Sequence, residues 1–289
     1  MLKSNSLHFF LLNCAMVCIS TSGALGRFIS LAPLLTIWSR ALIAFVLLLG
    51  FVFWKKKRIL LNFKHEGVPT MLSGILMAGH WVTYFFALQW SSVAIGMLSL
   101  FTYPMITVLI EPLFFDISYQ KRHLLLGLMI LAGVYFLAPS FELNNTVTQG
   151  VLMGILSSVC YALRNILMKQ KIATIDGSVL MLYQMGVTLI ILLPALVYFE
   201  TSSYTTNLPY LLILGVLTTA VGHTLFLNSF KNFSIGTVSI MSGIQPIYGI
   251  LIGIFFLSEI PSGRSIIGGL LIILTVLIEQ KSTRTTPEK

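Results

Sequence analysis

Two stretches decide how this chain folds. Residues 92–104 read Ser92-Val-Ala-Ile-Gly96 … Tyr103-Pro104, and residues 234–246 read Ser234-Ile-Gly-Thr-Val238 … Gln245-Pro246. The two prolines are 142 residues apart. Carried without gaps, that offset pairs Leu109 with Leu251, Ile110 with Ile252 and Phe114 with Phe256. Further on it pairs Arg122 with Arg264, Gly127 with Gly269 and Leu128 with Leu270; backwards it pairs Ile19 with Tyr161 and Arg27 with Lys169. Only five of 24 positions across 92–115 are identical. The paired prolines and the constant spacing therefore carry the weight, and they divide the 289 residues into two copies of one unit.

Composition says what medium the unit is built for. Apolar residues make up 56% of the chain and charged residues 9%, with a mean hydropathy of +0.92. A soluble domain carries about 25% charged residues, so this chain cannot cover a water-facing surface. An ordinary cytosolic enzyme, a disordered protein and a nucleic-acid-binding domain are excluded. Apolar segments of spanning length fall near 7–25, 32–54, 67–88, 93–115, 123–139, 150–168, 178–199, 208–229, 235–257 and 264–279. Runs this uniformly apolar lack the alternation of barrel strands, which leaves helices. The eighth run, with His223 and Asn228, is the weakest. The expectation is an all-α integral membrane protein of ten transmembrane helices.

Each unit then holds five spans, the first over 7–139 and the second over 150–279, with a cytoplasmic tail at 280–289. An odd number of spans inserts the two units upside down relative to each other. Inverted repeats are a device of secondary transporters, which set their site at the repeat interface. The basic residues orient the chain. Fourteen of the 18 Lys and Arg fall on one set of loops and ends, including Lys55, Lys56, Lys57, Arg58, Lys121, Lys169, Lys171 and Lys231. Only Arg27 and Arg264 fall on the other set, which by the positive-inside rule puts both termini in the cytoplasm. The apolar N-terminal stretch could pass for a signal peptide. Removing it would break the repeat, so it reads as a retained helix. Cys14, Cys18 and Cys160 form no CxxC or disulfide pattern and read as structural thiols.

Several stretches carry a resemblance to a known family. They are Ala-Gly-His80-Trp81…Tyr84-Phe-Phe-Ala-Leu, Tyr103-Pro104…Glu111-Pro112-Leu-Phe-Phe, Ala-Val-Gly-His223-Thr-Leu-Phe-Leu and Gln245-Pro246-Ile-Tyr-Gly…Leu-Ser-Glu259-Ile-Pro-Ser. Over residues 7–279 the chain resembles the drug/metabolite transporter superfamily, specifically exporters with two EamA domains. That resemblance implies ten helices in two pseudo-symmetric halves around a central cavity, alternating access, and a multi-pass protein of the bacterial inner membrane. One departure stands out: the acidic residue after the fourth span is Asp116, one position out of register with Glu259.

Ionisable and polar groups inside spans are functional candidates by default. Arg40 sits deep in the second span, where it would either face the cavity or snorkel; Arg164, a turn or two from the end of the sixth, reads as snorkelling. Gly96, Ser99, Tyr103, Thr107 and Glu111 recur at spacings of three and four, which puts them on one face. That face is expected to look inward, with a helix–helix contact as the bland alternative. His80 with Tyr84, and His223, lie at near-equivalent depths, either as proton carriers or as hydrogen-bonded core histidines. Tyr161, Asn165, Gln184, Gln245 and Tyr248 complete the set, and Pro104 and Pro246 are candidate flex points. Small residues on the ninth span, Ser239, Ser242, Gly243, Gly249 and Gly253, read as close packing.

Enzyme motifs are missing: no GxSxG, HExxH, P-loop or metal-spaced aspartates. Hence no catalytic residue, metal or cofactor is expected. The first span holds no carboxylate and no span holds a lysine. A strongly dianionic substrate is disfavoured, and a small uncharged or zwitterionic metabolite such as an amino acid fits better. Proton coupling would have to run through Glu111, His80 or His223. The rival readings are a proton-coupled drug or metabolite antiporter, a non-transporting membrane enzyme acting on lipid-linked substrates, and an assembly partner.

Overall fold

A computed structural model describes residues 2–115, 122–137, 142–200, 203–233, 235, 238 and 241–283. Asp116, Lys121, Ser234, Ser239 and the last six residues of the expected tail lie outside them. Among the described residues the chain is helical, with no strand. In order come α1 (Leu2–Phe28), α2 (Pro33–Trp54), α3 (Val68–Trp90), α4 (Val93–Leu100), α5 (Tyr103–Ile110), α6 (Arg122–Leu137) and α7 (Thr146–Lys171). Then follow α8 (Gly177–Leu192), the short α9 (Ala195–Tyr198), α10 (Tyr204–Ile213), α11 (Thr224–Ser229), α12 (Gln245–Leu257) and α13 (Gly263–Thr283). Among the described residues, six helical stretches are long and apolar enough to cross a bilayer, and four further helices present apolar stretches of 10–17 residues. Exposed Leu42, Val46, Ile190, Phe255 and Phe256 would be intolerable in water and suit lipid.

Local chemistry fixes the ends. Pro33 opens α2, where its missing N–H costs nothing. Asn145 and Asp176 accept the first free N–H groups of α7 and α8 through their side chains, and Ser92 does so for α4. The α13 helix runs on to Thr283, so the expected tail begins as helix. The weak eighth run is a continuous helical stretch over 204–229. Its middle, Leu214–His223, is π-helical.

The spacing of 142 is visible in the structure. The helix is interrupted at Phe101–Thr102, and Pro104 sits in the first turn of the α5 segment that follows. On the other side a short 3-10 turn, Ser242–Ile244, leads into α12, with Pro246 in its first turn. Each proline therefore sits in the first turn of a helical segment within its span, where its missing N–H is tolerated. Arg27 and Lys169 act alike at the ends of α1 and α7. Arg27 donates to the Gln89 carbonyl at 2.7 Å, and Lys169 donates to the Phe230 and Phe233 carbonyls at 2.8 and 3.0 Å. Each cation meets the negative end of a neighbouring helix.

Contacts cross between the copies. The α3 helix packs along α7, α2 against α8, α1 against α12 and the π segment, and α6 against α13. Gly133 of α6 and Gly268 of α13 meet backbone to backbone, since a Cβ on Gly268 would lie 2.6 Å from the Gly133 carbonyl. Ion pairs tie both ends. On one face Arg27 Nε meets Glu259 Oε1 at 2.8 Å, and Glu259 Oε2 accepts the Val93 N–H at 2.8 Å. On the other, Lys57 Nζ meets Asp176 Oδ1 at 2.7 Å. That second pair puts the C-terminal ends of α2 and α7 on one face of the bundle.

Candidate functional site

A cavity opens where the copies interleave. Ile19 and Ser22 of α1, His80, Trp81 and Tyr84 of α3, and Met97 and Leu100 of α4 with Phe101 and Tyr103 line it from one side. Tyr161 of α7, His223 of the π segment and Gln245 of α12 line it from the other. Its free space is about 20 Å³ for the centre of a water molecule, room for one or two waters and not for a metabolite.

Aromatic rings form the walls. His80 stacks on Tyr161 with centroids 4.4 Å apart and lies parallel to Tyr84 at 6.1 Å. Trp81 meets His223 edge-on at 5.4 Å, and Tyr103 meets Tyr161 at 4.9 Å. Ser157 Oγ donates to the His80 carbonyl at 2.8 Å and lies 2.7 Å from His80 Nδ1. Its only proton goes to that carbonyl, so Nδ1 is the donor in the second bond. The ring is thereby held flat against Tyr161. His223 is buried, and among the described residues its Nδ1 has no hydrogen-bond partner. Tyr103 and Ser242 join their hydroxyls, and Gln245 Nε2 meets the Met16 sulfur at 2.9 Å.

Two guanidinium groups stand behind these walls. Arg40 is fully buried: Nε donates to Thr219 Oγ1 at 2.9 Å, one terminal nitrogen to Thr218 Oγ1 at 3.2 Å and the other to Ser22 Oγ at 3.4 Å. Its carbon lies 4.1 Å from the Trp81 ring centre. The π segment supplies both threonines. It sets Thr218 and Thr219 on Arg40 of α2 and His223 against Trp81 of α3 and Tyr161 of α7. Arg164, expected to snorkel, is also fully buried. Its Nε and one terminal nitrogen donate to Gln184 Oε1 at 3.2 and 2.8 Å, and the other donates to Asn165 Oδ1 at 2.9 Å. Gln184 Nε2 goes on to Ser73 Oγ at 3.0 Å. A side chain this satisfied by buried partners has no reason to reach for water.

Of the expected site residues, His80, Tyr84, Tyr103, Tyr161, His223 and Gln245 come together at the cavity. Arg40 touches its wall, while Asn165 and Gln184 serve Arg164 behind it. Ser99, Thr107, Glu111 and Tyr248 do not line it. Ser99 and Thr107 return their hydroxyls to the Ile95 and Tyr103 carbonyls, and a Cβ on Gly96 would meet Leu88. Within the polar row of the fourth span, Gly96 and Ser99 are thus helix contacts, packed against Leu88 and Gly154, while Tyr103 alone of the row lines the cavity. Glu111 opens a 3-10 turn at the end of α5, half-buried and away from the cavity. Ser22, Trp81 and Ser157 were not singled out beforehand; the Trp next to His80 was the available signal. Among the described residues no group of His, Cys, Asp and Glu could hold a metal ion.

Comparisons with known proteins agree with this layout. A family model described as the EamA-like transporter family matches residues 7–138 and again residues 148–278. An uncharacterized transporter of Archaeoglobus fulgidus is 29% identical over 196 residues, which is 68% of this chain and 70% of that protein. A solved crystal structure superimposes with a TM-score of 0.70 at 18% identity, covering 96% of this chain and 98% of its own, and shares the fold.

Proposed function

Since the chain belongs to the EamA-like transporter family, we propose that it is a secondary transporter exporting a small zwitterionic or uncharged metabolite, such as an amino acid, by alternating access. The two matched regions are two five-helix repeats of opposite orientation, and ten helices cross the membrane. Both termini lie in the cytoplasm of a bacterial cell, with Lys57, Lys169 and Lys231 at that face. The observation that carries this reading is the small cavity lined by residues of both matched halves. A site built from both halves opens to one face or the other when they rock, and the ion pairs at the two faces would break alternately.

Glu111 stands apart from the cavity, so proton antiport would have to run through His80 or His223; with no carboxylate among the lining residues, facilitated export is the reading we favour. The test has two arms. Metabolites accumulating outside cells with and without the protein are compared, and those that differ are offered to the purified protein in liposomes. We expect saturable movement down a substrate gradient, without a proton gradient and unchanged in Glu111→Gln. An absolute need for a proton gradient would replace this with antiport. No movement of any accumulating metabolite would leave a membrane enzyme or assembly partner instead.

A further inference from the structure

Arg40 and Arg164 have an unusual property in common. Each is a buried cation whose partners are all neutral: Ser22, Thr218 and Thr219 for one, Gln184, Asn165 and the Met181 sulfur for the other. None of the described carboxylates lies within salt-bridge distance of either. An unneutralised charge in this setting is expensive unless it has work to do.

Their positions are matched as well. Arg40 leaves α2 and ties it to α1 and the π segment. Arg164 leaves α7 and ties it to α8, with Gln184 passing the link to Ser73 of α3. By the spacing of 142, α1 corresponds to α7, α2 to α8, and α3 to the π segment. These are therefore corresponding three-helix junctions, and each received its arginine from a different helix. They also lie at opposite depths. Arg40 is seven residues from Pro33, and Arg164 is seven from Lys171, or about 10 Å from each end at 1.5 Å per residue. The Lys57–Asp176 pair puts the other end of α2 on the Lys171 face, so one guanidinium lies in each half of the membrane with the cavity between. Trp81 and Tyr161, the walls nearest them, have their ring centres 4.1 and 6.0 Å from the guanidinium carbons.

We propose that Arg40 and Arg164 form a pair of anion-attracting stations, one on each side of the cavity, and that the substrate carries a carboxylate or similar single anionic group. Contact is not required for this selection. With little water between, a unit charge several ångströms away biases the cavity strongly against cations, and no described acid cancels it. Two separated single charges suit one anionic group engaged from either side, not a dianion held by both. The stations turn the zwitterionic-or-uncharged class proposed above into one that must hold a negative charge. The word substrate rests on the transporter reading; the binding preference does not.

The test is therefore a binding measurement on the purified full chain in detergent. Three probes share one aromatic body: phenylacetate is anionic, phenylalanine zwitterionic and phenethylamine cationic. Titration calorimetry is expected to show both carboxylates binding at least tenfold more tightly than the amine. Arg40→Gln and Arg164→Gln should each weaken the carboxylates about tenfold, and the lysine variants should restore most of the loss. Equal response to the three probes, or response to none, overturns the proposal, and neither result needs a variant to fold. Gln variants that unfold like the parent and bind the acids as it does assign both arginines to packing alone. Carboxylate binding without movement in liposomes would instead defeat the transporter reading and leave the anion stations standing.

Discussion

Gly74 offers a sharp test of how tightly the two halves interleave. It lies on α3 where that helix meets α8, and a Cβ there would stand 2.7 Å from Val187 Cβ, 3.0 Å from Val187 Cγ1 and 3.2 Å from Gln184 Cα. None of these atoms is the loose end of a flexible side chain. Valine is held at its first torsion and Gln184 Cα is backbone, so Gly74→Ala must push the two helices apart. Gly50 on α2 is the control, with nothing within 4 Å of its added Cβ. Replacing helical Gly by Ala gains about 0.8–1 kcal/mol of propensity at either site, and that gain cancels in the comparison. What remains is the overpacking penalty, about 1–3 kcal/mol. Reversible unfolding in mixed detergent, followed by tryptophan fluorescence, should find Gly50→Ala at least as stable as the parent and Gly74→Ala below it by that gap. Because Gln184 holds Arg164, the shift should also weaken carboxylate binding. A Gly74→Ala protein as stable as Gly50→Ala would refute the close crossing of α3 and α8.

Three further outcomes follow from single contacts. In Gly249→Ala the new Cβ would land on the Met97 sulfur, the end of a flexible chain that can swing into the cavity; liposome transport should fall several-fold while the unfolding midpoint barely moves. Ser157→Ala removes the acceptor of His80 Nδ1 and the donor to the His80 carbonyl, at a cost of about 1–3 kcal/mol for unpartnered buried groups, read in the same unfolding assay. Partial burial raises the Asp176 pKa, but hydrogen bonds from Lys57 and Ser178 outweigh it and hold the carboxyl at about 2. A depressed carboxyl contributes stability above its unfolded value near 3.8 and loses it as pH falls toward 2. The contribution is about 1 kcal/mol or less at this half-exposed site, so the gap between parent and Asp176→Asn should be constant from pH 7 to about 4 and close below it.

The repeat was legible because membrane insertion punishes any span that is not apolar, and because a proline leaves a mark at a fixed place in each copy. Even so, Pro104 and Pro246 were visible only as prolines. The break at Phe101–Thr102 and the 3-10 turn at Ser242–Ile244 precede the prolines by one or two residues, and no residue type there marks them. The same limit hid the π stretch. Nothing in Leu214-Gly-Val-Leu-Thr-Thr-Ala-Val-Gly-His223 announces a widened turn, since its cause is tertiary: Arg40 needs two hydroxyls from one helix, and Ile43 and Cys18 press on Gly215 and Gly222.

The candidate site divides along the same line. Aromatic and histidine side chains near the middle of their spans, His80, Tyr84, Tyr161 and His223, could be found by depth alone, because a bundle of this size has only one place to hide them. Direction could not be found that way. Ser99 and Thr107 lie on the same span as Tyr103 yet return their hydroxyls to their own helix, and Ser99 packs on Gly154 of α7. Arg164 shows the limit most clearly. Near a helix end, snorkelling is the cheaper outcome for an isolated helix, and the choice reverses only when another helix brings Gln184 within 2.8 Å, beside the neighbouring Asn165 at 2.9 Å. An arginine that stays buried when the surface is within reach is held there by its surroundings. Its counterpart Arg40, reached from a different helix at the corresponding junction, argues that both junctions require a positive charge whichever helix supplies it.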